Sequence, residues 1–298
     1  MIKMIGKSNF GHERVCFMEV EHLKKSRDIK WLKKMSKIIR VDILEMIGVG
    51  KKGHLGGSMS SADLVTALYF YKLNHNPKYP NDPYRDRFIF SKGHSVLAQY
   101  AALAEWGYFS KSELKKTKTL GSILQGHPEI RTPGIEANTG SLGQGLSMGV
   151  GMALGGKLDK SNYKVYVITG DGELAEGQIW EAANAANFYK LDNLVNVVDN
   201  NQLQATGQIK KRYDLGDIRA KFLSFGWKTF EINGHNMQEI VNVLDSVDEV
   251  KGSPSVIIAH TVKGKGVSFA ENNYRFHNAA LTKEQFKQAK DDITNIEA

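Results

Sequence analysis

An acidic residue and an amide thirty positions apart carry the strongest chemical signal in this sequence. The run GDGELAEG spans 170–177, and Asn201 stands thirty residues after Asp171. The apolar run YKVYVIT ends at Thr169 and a second, LVNVVD, ends at Asp199. Both read as buried strands, so Asp171 and Asn201 leave the carboxyl ends of two strands, where open α/β sheets place ligands. A carboxylate, a side-chain amide oxygen and a backbone carbonyl from the following loop are hard oxygen donors. Mg2+ takes such a set when phosphate groups supply further ligands. Gly170 and Gly172 let the backbone pass close to a diphosphate, and the helix beginning near Glu176 aims its positive end that way.

Three other patterns fail on their context. Residues 151–157 read GMALGGK, the spacing of a phosphate-binding loop, but position 158 is Leu and no strand precedes the glycines. The glycine pairs at 143/145 and 149/151 are followed by Met148 and Leu154, where a dinucleotide fingerprint needs its third glycine. Residues 145–149, GLSMG, match a nucleophile elbow, yet TGSLGQ before them reads as a loop entering a helix rather than a strand. Ser147 is therefore not taken as a nucleophile.

The elements that must position these residues are legible in the hydrophobic pattern. Trp31, Leu32, Met35, Ile38, Ile39, Ile43, Leu44 and Ile47 fall at helical spacing between Asp28 and Gly48. GVGKKGHLGG follows as a glycine-rich loop, and SSADLVTALYFYKL reads as a second helix with Ser61 as its cap. NHNPKYPNDPYRD holds three of the six prolines and reads as a surface loop. DRFIFS is a short strand, and a helix runs through Tyr100 to Trp106. Residues 121–177 hold 13 of the 29 glycines, so backbone must approach something closely there. After YKVYVIT come the helix EGQIWEAANAANFYK, the strand LVNVVD, the loop NNQLQATG and a helix near Leu215–Phe225. WKTFEI, a helix at Met237–Ser246, the strand SVIIAHTV and a final amphipathic helix in TKEQFKQAKDDITNIEA complete the chain. Strands alternating with helices predict an α/β fold, a parallel sheet with helices on both faces.

Composition narrows the function classes. The 298 residues are 41% hydrophobic and 24% charged, which excludes disordered and fibrous classes. No run approaches the roughly 18 apolar residues of a membrane span, so no membrane role is expected. The N-terminus shows no secretory pattern, and the single Cys16 can form no internal disulfide, which points to a cytoplasmic protein. Of the +8 net charge, residues 1–40 carry 11 Lys/Arg against 4 Asp/Glu, while the remaining 258 residues carry 29 against 28. The basicity belongs to an N-terminal arm, 1–27, and to the helix after it, with one domain expected over 28–298. No basic stripe interleaved with aromatics argues for nucleic acid.

Further motifs appear in a telling order: KGHLGG at 52–57, SKGH at 91–94, QGHPE at 125–129, TGSLGQG at 139–145, and His277 near the end. Together with the GDG–Asn pair, they resemble the transketolases over about residues 30–290, and specifically the N-terminal half of that family. The resemblance implies a thiamine-diphosphate-binding fold of the diphosphate-binding type, with thiamine diphosphate and Mg2+ (or Ca2+) as cofactors. It implies Asp171, the side chain of Asn201 and the backbone carbonyl of Leu203 as metal ligands. It places His94, Gly140, Ser141, Leu142, Gly172, Asn201 and His277 against the cofactor. His54, His127 and His277 are implied to act on the hydroxyls of a sugar or sugar phosphate, work that suits a side chain titrating near neutral pH. Glu176 is implied to join a carboxylate network across a subunit interface. Two departures stand out: Leu55 replaces a common proline, and Phe276-His277-Asn278 replaces the usual Trp-His-Gly. The lost glycine adds a Cβ beside His277 and bears on which donor fits.

The family's cofactor-activating glutamate and its phosphate grip belong to a second domain that does not follow here. KGH, GDGELAEGQIWEA and VKGKGVSF resemble the forms found in two-polypeptide transketolases. The expectation is therefore a chain inactive alone, paired with a C-terminal, pyrimidine-domain subunit in an α2β2 heterotetramer serving pentose-phosphate chemistry. The rival readings are a transketolase-like enzyme for an unusual sugar or acyloin product, the alpha chain of a 2-oxo acid dehydrogenase, and a non-catalytic descendant. The second does not explain KGHLGG, SKGH and QGHPE together, and the third would have lost the ligands or histidines.

Overall fold

Strand-length apolar runs set the frame. The computed structural model describes residues 25–296, so most of the expected basic arm, with Cys16, lies outside the described residues. In chain order the strands are β1 (Arg87–Phe90), β2 (Val165–Gly170), β3 (Leu194–Asn200), β4 (Leu203–Gln204), β5 (Gly207–Gln208), β6 (Lys228–Asn233) and β7 (Ser255–His260). Five form a wholly parallel sheet in the order β1-β2-β3-β7-β6, and β4 and β5 pair as a small antiparallel hairpin.

The helices are α1 (Ile29–Ile47), α2 (Leu55–Ser60), α3 (Ala62–Ala67), α4 (Leu97–Trp106), α5 (Gln144–Leu158), α6 (Gly177–Phe188), α7 (Ile209–Arg212), α8 (Ile218–Ser224), α9 (Met237–Ser246) and α10 (Lys283–Thr294). Successive strand residues point to opposite faces. Tyr166, Ile168, Val195, Val197 and Ile257 therefore pack into one apolar layer with α1, α3, α4, α9 and α10. Val165, Val167, Leu194, Val198 and Ile258 pack into the other with α5, α6 and α8. Helices cover both faces, as the alternating pattern required.

Local chemistry explains the ends of α1. Asp28 Oδ1 accepts hydrogen bonds from the backbone N–H of Lys30 at 2.9 Å and of Trp31 at 3.2 Å. The helix stops at Gly48, whose φ of 62° suits a residue without a Cβ. Leu32, Ile39, Ile43 and Leu44 are fully buried along one face, each worth roughly 1.5–3 kcal/mol of burial.

Three expectations are corrected. Leu55, Gly56 and Gly57 are not loop but the first residues of α2. The helix expected from Ser61 is broken into α3 and a π-turn at Leu68–Lys72, and Ser61 makes no side-chain cap. Its hydroxyl instead reaches Gly57 O and Asp199 Oδ2, both at 3.0 Å, because a buried carboxylate there needs donors. The loop NNQLQATG contains the β4–β5 hairpin, too short for any periodicity to show.

Candidate active site

Parallel neighbours end on the same side, so β1, β2, β3 and β7 deliver their following residues to one edge. β1 leads into Ser91, Lys92, Gly93 and His94, β2 into Asp171, β3 into Asn201, and β7 into Thr261, Val262 and Lys263. This is the carboxyl edge where the sequence placed a ligand.

Two buried carboxylates hold that edge together. Asp199, at the end of β3, is bonded to Lys92 Nζ and to the hydroxyls of Ser60 at 2.6 Å, Ser61 at 3.0 Å and Thr261. Burial alone would raise the Asp199 carboxyl, but the Lys92 ammonium holds it below its ordinary value. Glu173 accepts from Ser91 Oγ, from Gly143 N at 2.8 Å and from Gly170 N at 3.0 Å. It thereby ties the turn before α5 to the ends of β1 and β2.

Hydrogen bonds fix each of the three residues expected to hold a metal. Asp171 accepts from the backbone N–H of Gly172 at 2.8 Å and from that of Gln202. Asn201 Oδ1 accepts from Leu203 N at 3.1 Å. The Leu203 carbonyl accepts from Lys263 Nζ at 2.7 Å. Burial, and then the Asp199 charge, push the Asp171 carboxyl up to about 7. A carboxylate held that high is short of positive charge, and a hard cation would relieve it, so the donor set fits a metal. Among the described residues no three His, Cys, Asp or Glu side chains gather as a metal cluster, so such an ion would rest on mixed oxygen donors. A cavity of about 280 Å³ also reaches Asp171, lined by Gln202, Ile209, Lys210 and Asp214, but none of the predicted histidines lines it.

The four predicted histidines converge from four separate loops. Ring centroids lie 5.0 Å apart for His54 and His94, 5.4 Å for His54 and His277, and 5.0 Å for His94 and His277. His127 stands 6.4 Å from His54. Burial comes first in depressing all four. Lys118 adds to the effect on His54 and His127, Lys263 on His54 and His277, and Lys92 on His94. His54 falls to about 4 and His277 to about 3. Neutral imidazole is the result at pH 7, with one N–H and one lone pair on each ring. Nδ1 of His54 and Nδ1 of His277 are buried without a hydrogen-bond partner among the described residues, which fits a bound polar group.

The cradle before α5 lies beside this cluster. Gly140 has φ of 133°, and a Cβ there would come within 2.4 Å of His127 Cδ2, so only glycine permits the approach. Ser141 is exposed and Leu142 half-buried. Glu176 lies apart from the histidines, exposed just before α6, and its carboxylate bonds to no described residue. A 3-10 turn over Gly172–Ala175 separates Asp171 from α6, which begins at Gly177 with Glu176 as its N-cap, where the helix start was expected. Asn278 does not take the left-handed conformation that would have needed the family's glycine, and His277 still joins the cluster.

Sequence reasoning missed Glu173, the Lys92–Asp199 pair and Lys263. Lys263 is 2% exposed, and burial and Lys92 lower its ammonium to about 8 while Asp171 and Asp199 pull it back up. Its one visible signal was a lysine directly after the strand SVIIAHTV. Of the remaining histidines, His75 bonds Tyr108 and the Tyr69 carbonyl, and His260 bonds Glu231, all outside the cluster. His235 bonds Asp63, and His12 and His22 lie outside the described residues.

Comparison with known proteins agrees with this geometry. Residues 32–295 match the family described as transketolase, thiamine diphosphate binding domain. One subunit of the apulose-4-phosphate transketolase of Phocaeicola vulgatus is 43% identical over 89% of this chain and 95% of its own length. The 6-deoxy-6-sulfo-D-fructose transketolase subunit SqwG of Clostridium sp. is also 43% identical, over 87% of this chain and 94% of its own. Human transketolase is 34% identical over 93% of this chain but only 44% of its own length. The crystal structure of Campylobacter jejuni transketolase superposes with a TM-score of 0.84 at 32% identity, covering 91% of this chain and 44% of that one. The chain thus spans less than half of those longer transketolases and nearly the whole of the two relatives named as transketolase subunits. It belongs to the transketolase family, as the family's thiamine diphosphate binding domain.

Proposed function

We propose that this chain is the diphosphate-binding half of a two-chain transketolase, moving a two-carbon ketol unit from a ketose or its phosphate to an aldose or its phosphate. The observation that carries the proposal is the convergence of four neutral histidines beside Lys263, whose ammonium in turn holds the Leu203 carbonyl and faces Asp171. Asp171, Asn201 Oδ1 and the Leu203 carbonyl hold Mg2+, or Ca2+, against the diphosphate. His94, Gly140, Ser141, Leu142, Gly172 and His277 line the cofactor. Thiamine diphosphate supplies the electron sink for breaking the carbon–carbon bond beside the donor carbonyl. The chain's own residues bind, orient and move protons. Neutral His54 and His277 take and return protons at the donor hydroxyls through a ring nitrogen, and His127 hydrogen-bonds the terminal hydroxyl.

The partner is a C-terminal, pyrimidine-domain subunit in an α2β2 assembly. Coverage supports this: the relatives named as transketolase subunits match this chain nearly end to end, whereas full-length transketolases extend far beyond it. Glu176, exposed and without a partner side chain among the described residues, is suited to such an interface. We propose residues 28–298 as one domain, preceded in the sequence by the basic arm 1–27. No described helix is long and apolar enough to cross a membrane, and we propose a cytoplasmic location.

A specialised sugar is the second reading. The relatives at 43% identity are named for apulose-4-phosphate and for 6-deoxy-6-sulfo-D-fructose, and Asn278 presents a polar side chain next to His277. Calorimetric titration of thiamine diphosphate into the purified assembly tests the site. Affinity should collapse on chelation and return with Mg2+; binding indifferent to chelation would contradict the metal assignment.

A further inference from the structure

A buried carboxylate outside the site grips the segment that carries Lys263 from both sides. Asp63, on α3, is 7% exposed, and Arg40, on α1, is 3% exposed. Arg40 Nη1 and Nη2 donate to the two Asp63 oxygens at 3.0 and 2.7 Å, and Ser36 Oγ donates to Oδ1 at 2.6 Å. His235 Nδ1 lies 2.7 Å from Asp63 Oδ2. The other ring nitrogen, Nε2, accepts the backbone N–H of Val262 at 2.8 Å. That acceptor role assigns the proton to Nδ1, which donates it to Asp63. Arg40 Nε donates to the carbonyl of Lys265 at 3.2 Å. Two of the groups bound to Asp63, His235 and Arg40, therefore hold one peptide before Lys263 and one after it.

Lys263 stands between these two grips. Its ammonium is buried and donates to the Leu203 carbonyl at 2.7 Å, facing Asp171 and Asp199. The lysine stem packs on α2, where a Cβ on Gly56 would come within 2.9 Å of Lys263 Cγ. An ammonium on a four-carbon stem is a flexible point charge, so its placement depends on a fixed backbone. The chain supplies that fixity from outside the site. Asp63 and Arg40 stand on two helices packed in the same apolar layer, and a buried ion pair bonded on every side resists displacement.

We infer that Asp63, Arg40 and His235 form a clamp that positions Lys263 at the metal and diphosphate end of the site. None of the three touches a residue proposed to bind metal or substrate. They are positioning residues, and they act on cofactor binding through Lys263. This inference rests on the diphosphate-site reading above, and the test keeps the two apart.

A double-mutant cycle on the full chain, in the assembly in which it purifies, decides it. Mg2+-dependent thiamine diphosphate affinity is measured by calorimetry for wild type, His235→Phe, Lys263→Met and the pair, with thermal melting as the folding control. Each single variant should bind about tenfold more weakly, the scale of one lost charge-assisted contact. The double variant should bind no worse than Lys263→Met, because His235 has nothing left to position. His235→Gln, whose carbonyl oxygen can accept the Val262 N–H, should restore affinity to within about threefold of wild type. Should His235→Phe fail to fold, His235→Ser takes its place in the same cycle. Losses that add in the double variant, or wild-type affinity in the single His235 variant, would overturn the clamp. Absence of Mg2+-dependent binding in the wild-type assembly would overturn the site reading itself.

Discussion

Single residues decide whether this edge binds a cofactor or only resembles a site that does. Asp171→Asn and Asn201→Ala each remove one oxygen donor and should weaken Mg2+-dependent thiamine diphosphate binding about tenfold or more. Wild-type affinity in both, measured by calorimetry, would remove them from the metal's shell. His127→Ala should spare that affinity while slowing ketol transfer about a hundredfold, the usual scale for a lost proton-handling group. Loss of cofactor binding in His127→Ala would instead place His127 among the cofactor's supports. The depressed histidines also make a pH claim. The unfolded chain takes protons on these residues near pH 6.5, whereas folded His54 and His277 refuse them until about 4 and about 3. Stability is therefore complete above about pH 6.5 and falls as pH drops below it. His54→Gln should flatten the decline in melting temperature between pH 7 and pH 5, and an unchanged slope would contradict burial as the cause. The clustered histidines were legible because most sit in a motif with glycine neighbours. Glu173, Lys92 and Lys263 were not, because a buried charge shows in a sequence only once its partner is known, and most of their partners lie 30 to 107 residues away.

At the scale of elements, buried polar groups join what the apolar pattern merely places side by side. The periodicity located α1, β1, α4, β2, α6, β3, β6, α9 and β7 within a few residues, since each carries a face that must be buried. It failed between Leu55 and Lys72, where every residue up to Phe70 is buried and no polar face marks the breaks. Asp199 settles that region: its bonds to Ser60, Ser61, Lys92 and Thr261 bring α2, the turn after β1 and the turn after β7 to one carboxylate. Lys92→Met strands that buried charge and should destabilise the fold by about 3–5 kcal/mol in chemical denaturation. A loss below about 1 kcal/mol would show that the hydroxyls alone suffice. A second junction has the opposite character. Asp42 on α1 faces Glu105 on α4, with Lys111 Nζ 3.5 Å from Asp42 Oδ1, and its Oδ2 is buried without a partner among the described residues. Burial, then the neighbouring Glu105 carboxyl, raise the Asp42 carboxyl well above its ordinary range. The unfolded carboxyl ionises near 4, so this junction loses stability as pH rises from there toward the raised folded value. Asp42→Asn should therefore gain stability relative to wild type between pH 5 and pH 8, and a difference independent of pH would contradict it.

For the whole molecule, the central claim is that half of an active site lies on this chain. The fold class and the transketolase likeness were legible because motif order survives where individual residues drift. The matched family and the relatives named above are transketolases, which favours that reading over the 2-oxo acid dehydrogenase alternative. The donor sugar is less legible, because the groups that would grip its phosphate are expected on another chain. Glu176, Ser141 and His127 are exposed in this chain, as residues facing a second polypeptide would be. The most direct test is thiamine-diphosphate-dependent ketol transfer, measured for this chain purified alone and for the complex it forms with the C-terminal-type subunit. Transfer by the complex and none by the chain alone is the expected result. Turnover by the isolated chain, with no second polypeptide present, would contradict it and place the whole active site here.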